Sequence, residues 1–319
     1  MSINKFNNLK SKWKKFKQDN PKVRIRDAAY QMKVSEAELL STEINETVSF
    51  LLIEDMHEFI KDILKVDKIM FLIRSDYVVH EKTIKTKNIR LKDNQIIDLD
   101  ENGCNILDFN IDAFEYVFFQ KKMHSNQELK SFQFFDKAGM AILKIYLKGK
   151  DFGFFDEIDL KYKKIYNYEM QYDLDINNSK LLESKIKINL PYDISNSTTS
   201  CRDISVKSLR LILENASDMK IPIQIHALGL GTIQYHRNTV RNIVDYGSWV
   251  NVIDQKFNLH VLEDGLKRAS LVQYQFKDYQ QYLINFFDKN NDHVLGVTDV
   301  KGFDKDFLKI INNIKGVRK

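Results

Sequence analysis

The side chains best suited to bind a ligand in this chain are its imidazoles, seven of them in 319 residues. His226 and His236 lie on two strand-like stretches joined by Gly229-Leu230-Gly231. If those stretches form a hairpin, both imidazoles approach one point, as two ligands of a metal ion would. No third ligand is evident beside them. Cys104 and Cys201 are the two cysteines, in unrelated contexts, which excludes a zinc quartet and a disulfide framework. The glycine pair lacks the third glycine and the helix of a nucleotide-binding turn. No G-x-S-x-G, H-E-x-x-H or P-loop pattern occurs.

These residues must be positioned by elements whose period changes along the chain. Residues 5–66 read as helical. Leu9, Trp13 and Phe16 make one apolar stripe. Asn20-Pro21 stops that helix, because the residue before proline avoids helical geometry. A short helix is expected over 26–32, and Ser35 is placed to cap another reaching Leu40. Met56, Phe59, Ile60, Ile63 and Leu64 outline a helix over 55–65. Residues 69–79 then predict two strands about a tight turn, and 82–90 an alternating strand. Strands at 96–99, 106–111, 114–119, 132–135 and 141–147 follow, at the short spacing of an antiparallel sheet. Residues 151–172 predict a helix and a connection, 179–187 a short helix, and 195–200 a polar loop. A helix over 205–215 precedes strands at 221–228, 231–236, 239–245, 249–253, 257–262, 266–276 and 281–287. A helix over 303–314 closes the chain.

The order helices, sheet, helix therefore occurs twice. Phe134-Phe135-Asp136-Lys137 recurs as Phe286-Phe287-Asp288-Lys289 at an offset of 152, which Leu107 and Leu259 share. Val79-His80 and Tyr235-His236 align with a gap of four residues. The expectation is an α+β protein of two similar halves, 1–158 and 159–319, each a large antiparallel sheet packed on helices. With 43% hydrophobic residues there is ample material for a core, which excludes a disordered chain. The net charge of +5 is unevenly placed: residues 1–26 carry +8 and the remainder −3. A basic end can meet nucleic acid, a membrane surface or an anionic ligand, or can simply be a solvated helix face. No secretion-signal pattern and no apolar run of membrane-spanning length is found, so a cytoplasmic protein without membrane insertion is expected.

Several stretches resemble, in order, the bacterial haem-utilisation proteins of the HemS/ChuS type, the hemin-degrading factor family. Asn20-Pro21 with Arg26-Asp27-Ala28-Ala29 and Val34-Ser35-Glu36-Ala37-Glu38-Leu39 is similar to the family's N-P-x-x-x-x-R-D-I-A and I-S-E-A-E-L. Arg74-Ser75-Asp76-Tyr77-Val78-Val79-His80-Glu81 resembles R-N-x-Y-A-V-H-E, and Ser131–Asp136 resembles S-I-Q-F-F-D. Lys144-Ile145-Tyr146 is similar to K-V-Y. In the second half, Trp249–Asp254 resembles W-L-N-I-F-N, and Phe257–Asp264 resembles F-x-L-H-L-x-E-D. The resemblance spans residue 9 to about 290, weakest at 159–200. It implies two similar α+β halves and haem as the ligand. It implies a role in haem trafficking, storage or delivery to degradation, with a haem oxygenase or another haem acceptor as partner. Oxidative haem degradation is the enzymatic alternative.

Three departures stand out. The family's second-half axial histidine, in D-V-H-Q-F-F, corresponds to the region Asp175–Leu182, which has no histidine. Asp108 stands where the family's L-D-L-R-L carries arginine. Leu295-Gly296-Val297 lacks the tyrosine and arginine of L-Y-G-x-R. The resemblance makes His80 the first candidate for an axial ligand, beside Glu81, and His260 a second. His260 alternates with Leu259 and Val261 and reads equally as a structural strand residue. Arg74, Lys82 and Arg90, with Lys85, could pair with haem propionates, although lysines on an exposed strand also guard a sheet edge. Residues 26–40 further resemble a helix-turn-helix, so DNA binding through residues 1–40 is the alternative of a different class.

Overall fold

In the computed structural model the stripe on the first helix finds its partners. The structure describes residues 3–99, 103–124, 126–149, 153–163, 188, 190–191, 193–300, 305–314 and 316. The helix expected over 179–187 lies outside the described residues. Helix α1 (Ile3–Asp19) is followed by α2 (Ile25–Met32) and α3 (Glu36–Ser41). Leu9 and Trp13 pack with Ala28, Ala29 and Leu39. Trp13 Nε1 and Lys17 Nζ both donate to Glu43 Oε1, at 2.9 and 2.6 Å, which ties the basic helix down. Ser35 and Glu38 make a reciprocal capping box on α3. Every residue of α3 is buried. The apolar pattern of the second helix of the expected helix-turn-helix is therefore a core pattern.

The strands of the first half are β1 (Val48–Leu51), β2 (Lys68–Arg74), β3 (Val78–Lys85), β4 (Ile89–Lys92), β5 (Gln95–Asp98), β6 (Cys104–Phe109), β7 (Tyr116–His124), β8 (Gln127–Phe135) and β9 (Ala141–Leu147). Those of the second are β10 (Thr198–Ile204), β11 (Ile223–Gly229), β12 (Thr232–Asn238), β13 (Ile243–Tyr246), β14 (Trp249–Ile253), β15 (Phe257–Leu262), β16 (Arg268–Gln275), β17 (Gln280–Phe287) and β18 (His293–Asp299). Four more helices are α4 (Met56–Ile63), α5 (Phe154–Tyr162), α6 (Ser208–Asp218) and α7 (Lys305–Asn312). Among the described residues, no helix is long and apolar enough to cross a membrane.

The chain forms two compact units. One holds Met1–Phe71, Ile84–Asn94 and Asn110–Ser184; the other holds Leu72–Thr83, Gln95–Phe109 and Lys185–Lys319. In the first unit β1, β7, β8 and β9 make an antiparallel ladder. Helices α4 and α5 cover it. Phe59 meets Phe132 edge-on at 5.2 Å, and Phe155 tilts against the same ring at 4.6 Å. In the second unit one antiparallel run is β10-β16-β17-β18-β11-β12-β6-β5, and another is β3-β15-β14-β13. The buried apolar faces of α6 and α7 carry Leu209, Ile212 and Leu213, and Phe307, Ile310 and Ile311.

The duplication read from Phe-Phe-Asp-Lys is present in backbone detail. The β8–β9 ladder shifts register at Phe134/Phe135, and the β17–β18 ladder at Phe286/Phe287. Each following aspartate ties its own turn. Asp136 Oδ1 accepts from Met140 N at 2.8 Å, and Asp288 Oδ1 from Asn290 N at 2.8 Å and Asp292 N at 3.0 Å. One equivalence changes. Leu107 faces Gln234 across its ladder, and Leu259 faces His80. If the two leucines are counterparts, His80 corresponds to Gln234 rather than His236, and the gap shrinks from four residues to two.

Three expectations about elements are corrected. Val48–Leu51 is a strand inside the stretch read as helical, its four residues being too few to show a period. Thr198–Ile204 is a strand where a polar loop was expected; it is polar because it is exposed along nearly its whole length. His293–Asp299 is a buried strand that a central glycine had hidden.

The glycine after Asp136 couples this turn to the α3 cap. Gly139 has φ +71°, and a Cβ there would lie 2.3 Å from Ser35 Oγ; Gly103, at φ +72°, has nothing within 4 Å. Gly103→Ala is expected to cost only the left-handed strain, about 1–2 kcal/mol. Gly139→Ala adds a collision with the capping serine and should cost about 3 kcal/mol. Denaturant midpoints compare the two, and equal losses would contradict this account.

Candidate functional site: a buried imidazole cluster in the second unit

The second unit contains three histidines with almost no contact with water: His80 and His226 are 0% exposed and His236 is 7% exposed. Both ring nitrogens of His80 and of His226, and Nε2 of His236, have no hydrogen-bond partner among the described residues. A buried imidazole cannot hold a proton cheaply. Burial, helped by the charge of Lys82, pushes His80 down to about 3. Burial holds His226 well below its ordinary value, and His293, Arg237 and His80 add to this. Burial does the same for His236, with Lys82 and His80 contributing. All three are neutral at physiological pH.

The hairpin expected around Gly229-Leu230-Gly231 is β11–β12, but its register separates the two histidines. His226 faces Tyr235 and His236 faces Ile225. Directly opposed residues share a sheet face and neighbours alternate. His226 and His236 therefore project to opposite faces, and the expected two-histidine metal site is not formed. Among the described residues, no group of three His, Cys, Asp or Glu is placed to hold a metal.

His236 lies parallel on Phe257, with ring centroids 3.7 Å apart, and His80 tilts against the same phenylalanine at 4.9 Å. Both thus line the face where the β15 run meets β12. His260 projects the other way. Its Nδ1 is 2.7 Å from Asn251 Oδ1, an oxygen that can only accept, so Nδ1 carries the proton. His80 and His260 do not converge. Of the three cations expected to meet propionates, Lys82 shares the face of His80 two residues along β3. Arg74 ends β2, half-buried. Arg90 belongs to the first unit, where its guanidinium donates to Ile89 O at 2.8 Å and Lys87 O at 3.3 Å.

The face of β11–β12 that carries His226 holds polar residues that the sequence reading had not singled out. Tyr235, 0% exposed, donates its hydroxyl to Asp108 Oδ2 at 2.8 Å. Asn105 Nδ2 donates to the other oxygen of Asp108 at 2.5 Å. Burial still pushes Asp108 up, against these two bonds and the charge of Arg237. Arg237 donates Nε to Gln224 Oε1 at 2.5 Å and Nη1 to Asn105 O at 2.8 Å. Its guanidinium carbon lies 5.2 Å from the centre of the Tyr235 ring. Across the other ladder His226 faces Gly296, and a Cβ on that glycine would fall 2.1 Å from His226 Nε2. The signal was there in Gln224, His226, Tyr235 and Arg237. On β11 the two polar residues alternate with Ile223, Ile225 and Ala227, whose face is core, whereas on β12 Tyr235 and Arg237 stand between Gln234, His236 and Asn238 and show no such alternation.

Fold and cluster together define a class: a duplicated α+β protein whose antiparallel strands carry buried, neutral imidazoles beside a phenol and a guanidinium. The chain belongs to the family of the haemin-degrading HemS.ChuX domain, whose model matches residues 33–165 and 195–306. The hemin transport protein HemS of Yersinia enterocolitica is 21% identical over 299 residues, covering 82% of this chain and 83% of that protein. The hemin transport protein HmuS of Yersinia pestis is 20% identical over the same coverage. The heme degrading enzyme ChuS of Escherichia coli O157:H7 superposes with a TM-score of 0.80 at 20% identity, over 97% of this chain and 99% of that one. Holo-PhuS, a heme-binding protein from Pseudomonas aeruginosa, gives 0.81 at 17% identity, over 98% and 99%. These likenesses establish the fold.

The depressed imidazoles make stability depend on pH in one direction. Their folded values lie below the unfolded value near 6.5, so their contribution is complete above that pH and is lost as pH falls below it. Each imidazole kept neutral costs the fold about 1.4 kcal/mol per pH unit below 6.5. Denaturant midpoints should fall steeply from about pH 7 to about pH 5, and less steeply in His80→Gln. A flat profile over that window would refute the assignment.

Proposed function

We propose that this chain binds haem and serves haem utilisation in the cytoplasm, as a carrier or store that releases haem to an acceptor. The observation that carries this reading is the set of buried neutral imidazoles whose ring nitrogens lack partners among the described residues. Family membership and the haem-related names of the relatives support it. Haem supplies an iron with an open axial position and two carboxylates. The residues present fit both requirements. A neutral imidazole is the form that ligates iron. The donor would be one of the second unit's buried imidazoles, with Lys82 as the cation on the His80 face or Arg237 as the cation on the His226 face to meet a carboxylate. The imidazoles are covered, so binding requires the side chains over them to move. Release to an acceptor would require the same movement.

Titrating hemin into the purified chain should give a saturable Soret shift at one haem per chain. Adding a reductant under air should leave that band in place if the protein is a carrier. Bleaching with appearance of a ring-opened product would move the assignment to oxidative degradation. Absence of any Soret change with hemin would remove the haem reading.

A further inference from the structure

Two of the buried imidazoles are held in very different settings, and the difference selects between them. His80 sits where two strand runs meet, with Phe257 tilted against it and His236 stacked on the same phenylalanine. Admitting a flat ligand there means parting two packed β layers. His226 projects from the opposite face of the β11–β12 hairpin. Its cross-strand neighbour is Gly296, and the ring occupies space that any larger residue at 296 would need. Its face carries a guanidinium fixed at Gln224 and Asn105, and a phenol fixed at Asp108. His293 stands perpendicular to it at 5.7 Å. We propose that His226, and not His80, is the imidazole that takes haem iron in this chain, with Arg237 on the same face as the counter-charge for a carboxylate. The proposal rests on the haem reading above.

The physical case is one of unmet bonding capacity. A neutral imidazole has one N–H and one lone pair. Leaving a buried donor or acceptor unmade costs about 1–3 kcal/mol. Both nitrogens of His226 are in that condition among the described residues, on a face that satisfies Tyr235, Asp108 and Arg237 with care. A histidine present only to fill space would be out-competed by leucine, which fills similar volume and leaves nothing unpaired. Iron gives the lone pair a use that leucine cannot provide.

That comparison defines the test, made on the full chain with hemin as the probe. His226→Leu should leave the unfolding midpoint of the ligand-free protein unchanged or higher, while hemin affinity falls about tenfold or more and the imidazole-ligated signature in the Soret and electron paramagnetic resonance spectra is lost. In His226→Gly, free imidazole added to the buffer should restore that signature. The proposal is overturned if wild type binds hemin and both His226 variants give its spectrum, or if His80→Ala alone removes the imidazole-ligated signature. A wild type that binds no hemin overturns the haem reading itself, and this inference with it.

Discussion

An imidazole removed from water is confined to its neutral form, because the protein interior cannot replace the hydration of the cation. The second unit imposes this on His80, His226 and His236 at once, and much of its interior is arranged around the consequence. Phe257 fills the space beside two of the rings with a surface that asks for no hydrogen bond. Gly296 withdraws its side chain from the third. Lys82 and Arg237 lie close enough to disfavour protonation further. The neighbouring polar groups are bonded to one another: Tyr235 and Asn105 to Asp108, and Arg237 to Gln224 and the Asn105 carbonyl. Among the described residues the fold satisfies those groups and leaves both ring nitrogens of His80 and His226, and Nε2 of His236, without a partner.

The duplicated frame tolerates this because a sheet ladder is made by the backbone. The bulge at Phe134/Phe135 and the aspartate turn behind it recur at Phe286/Phe287. The polar contents of the two copies meanwhile differ. Asp108 and His260 share the 152-residue offset of Leu107 and Leu259, yet one is a carboxylate held by Asn105 and Tyr235 and the other an imidazole held by Asn251. Backbone pairing and alternation of faces remain while the side chains inside the layer exchange chemistry. That is how a chain near 20% identity keeps a TM-score of 0.80 with ChuS.

What the sequence made legible follows the same division. The helical stripe of Leu9, Trp13 and Phe16, the change of period near residue 69 and the two Phe-Phe-Asp turns are local patterns, and each is present in the fold. The hairpin at Gly229-Leu230-Gly231 was also legible, but its register was not. A shift of one residue exchanges the faces of a strand, and no local pattern fixed whether His226 or Ile225 faces His236. The burial of α3 was not legible for a related reason: a short helix after a turn has the same pattern whether it enters a groove or a core. Asp108 looked like the loss of a family arginine. Its partnership with Tyr235 could not be read, because 127 residues separate the two.

The balance between stability and binding gives the unmet imidazoles their meaning. Replacing a buried polar side chain by an apolar one of similar volume is often neutral or stabilising, whereas stranding a polar group is costly. A population of sequences drifting under selection for folding alone would therefore lose His226, whose place in the β11–β18 ladder leucine could fill. His80 is less readily read this way. It is wedged against Phe257 and lies beside Lys82, so its ring has a packing role whether or not its nitrogens are used. The two histidines are equally buried, and both leave their ring nitrogens without a partner among the described residues; they differ in their neighbours, Phe257 and Lys82 for His80 and Gly296, His293 and Arg237 for His226.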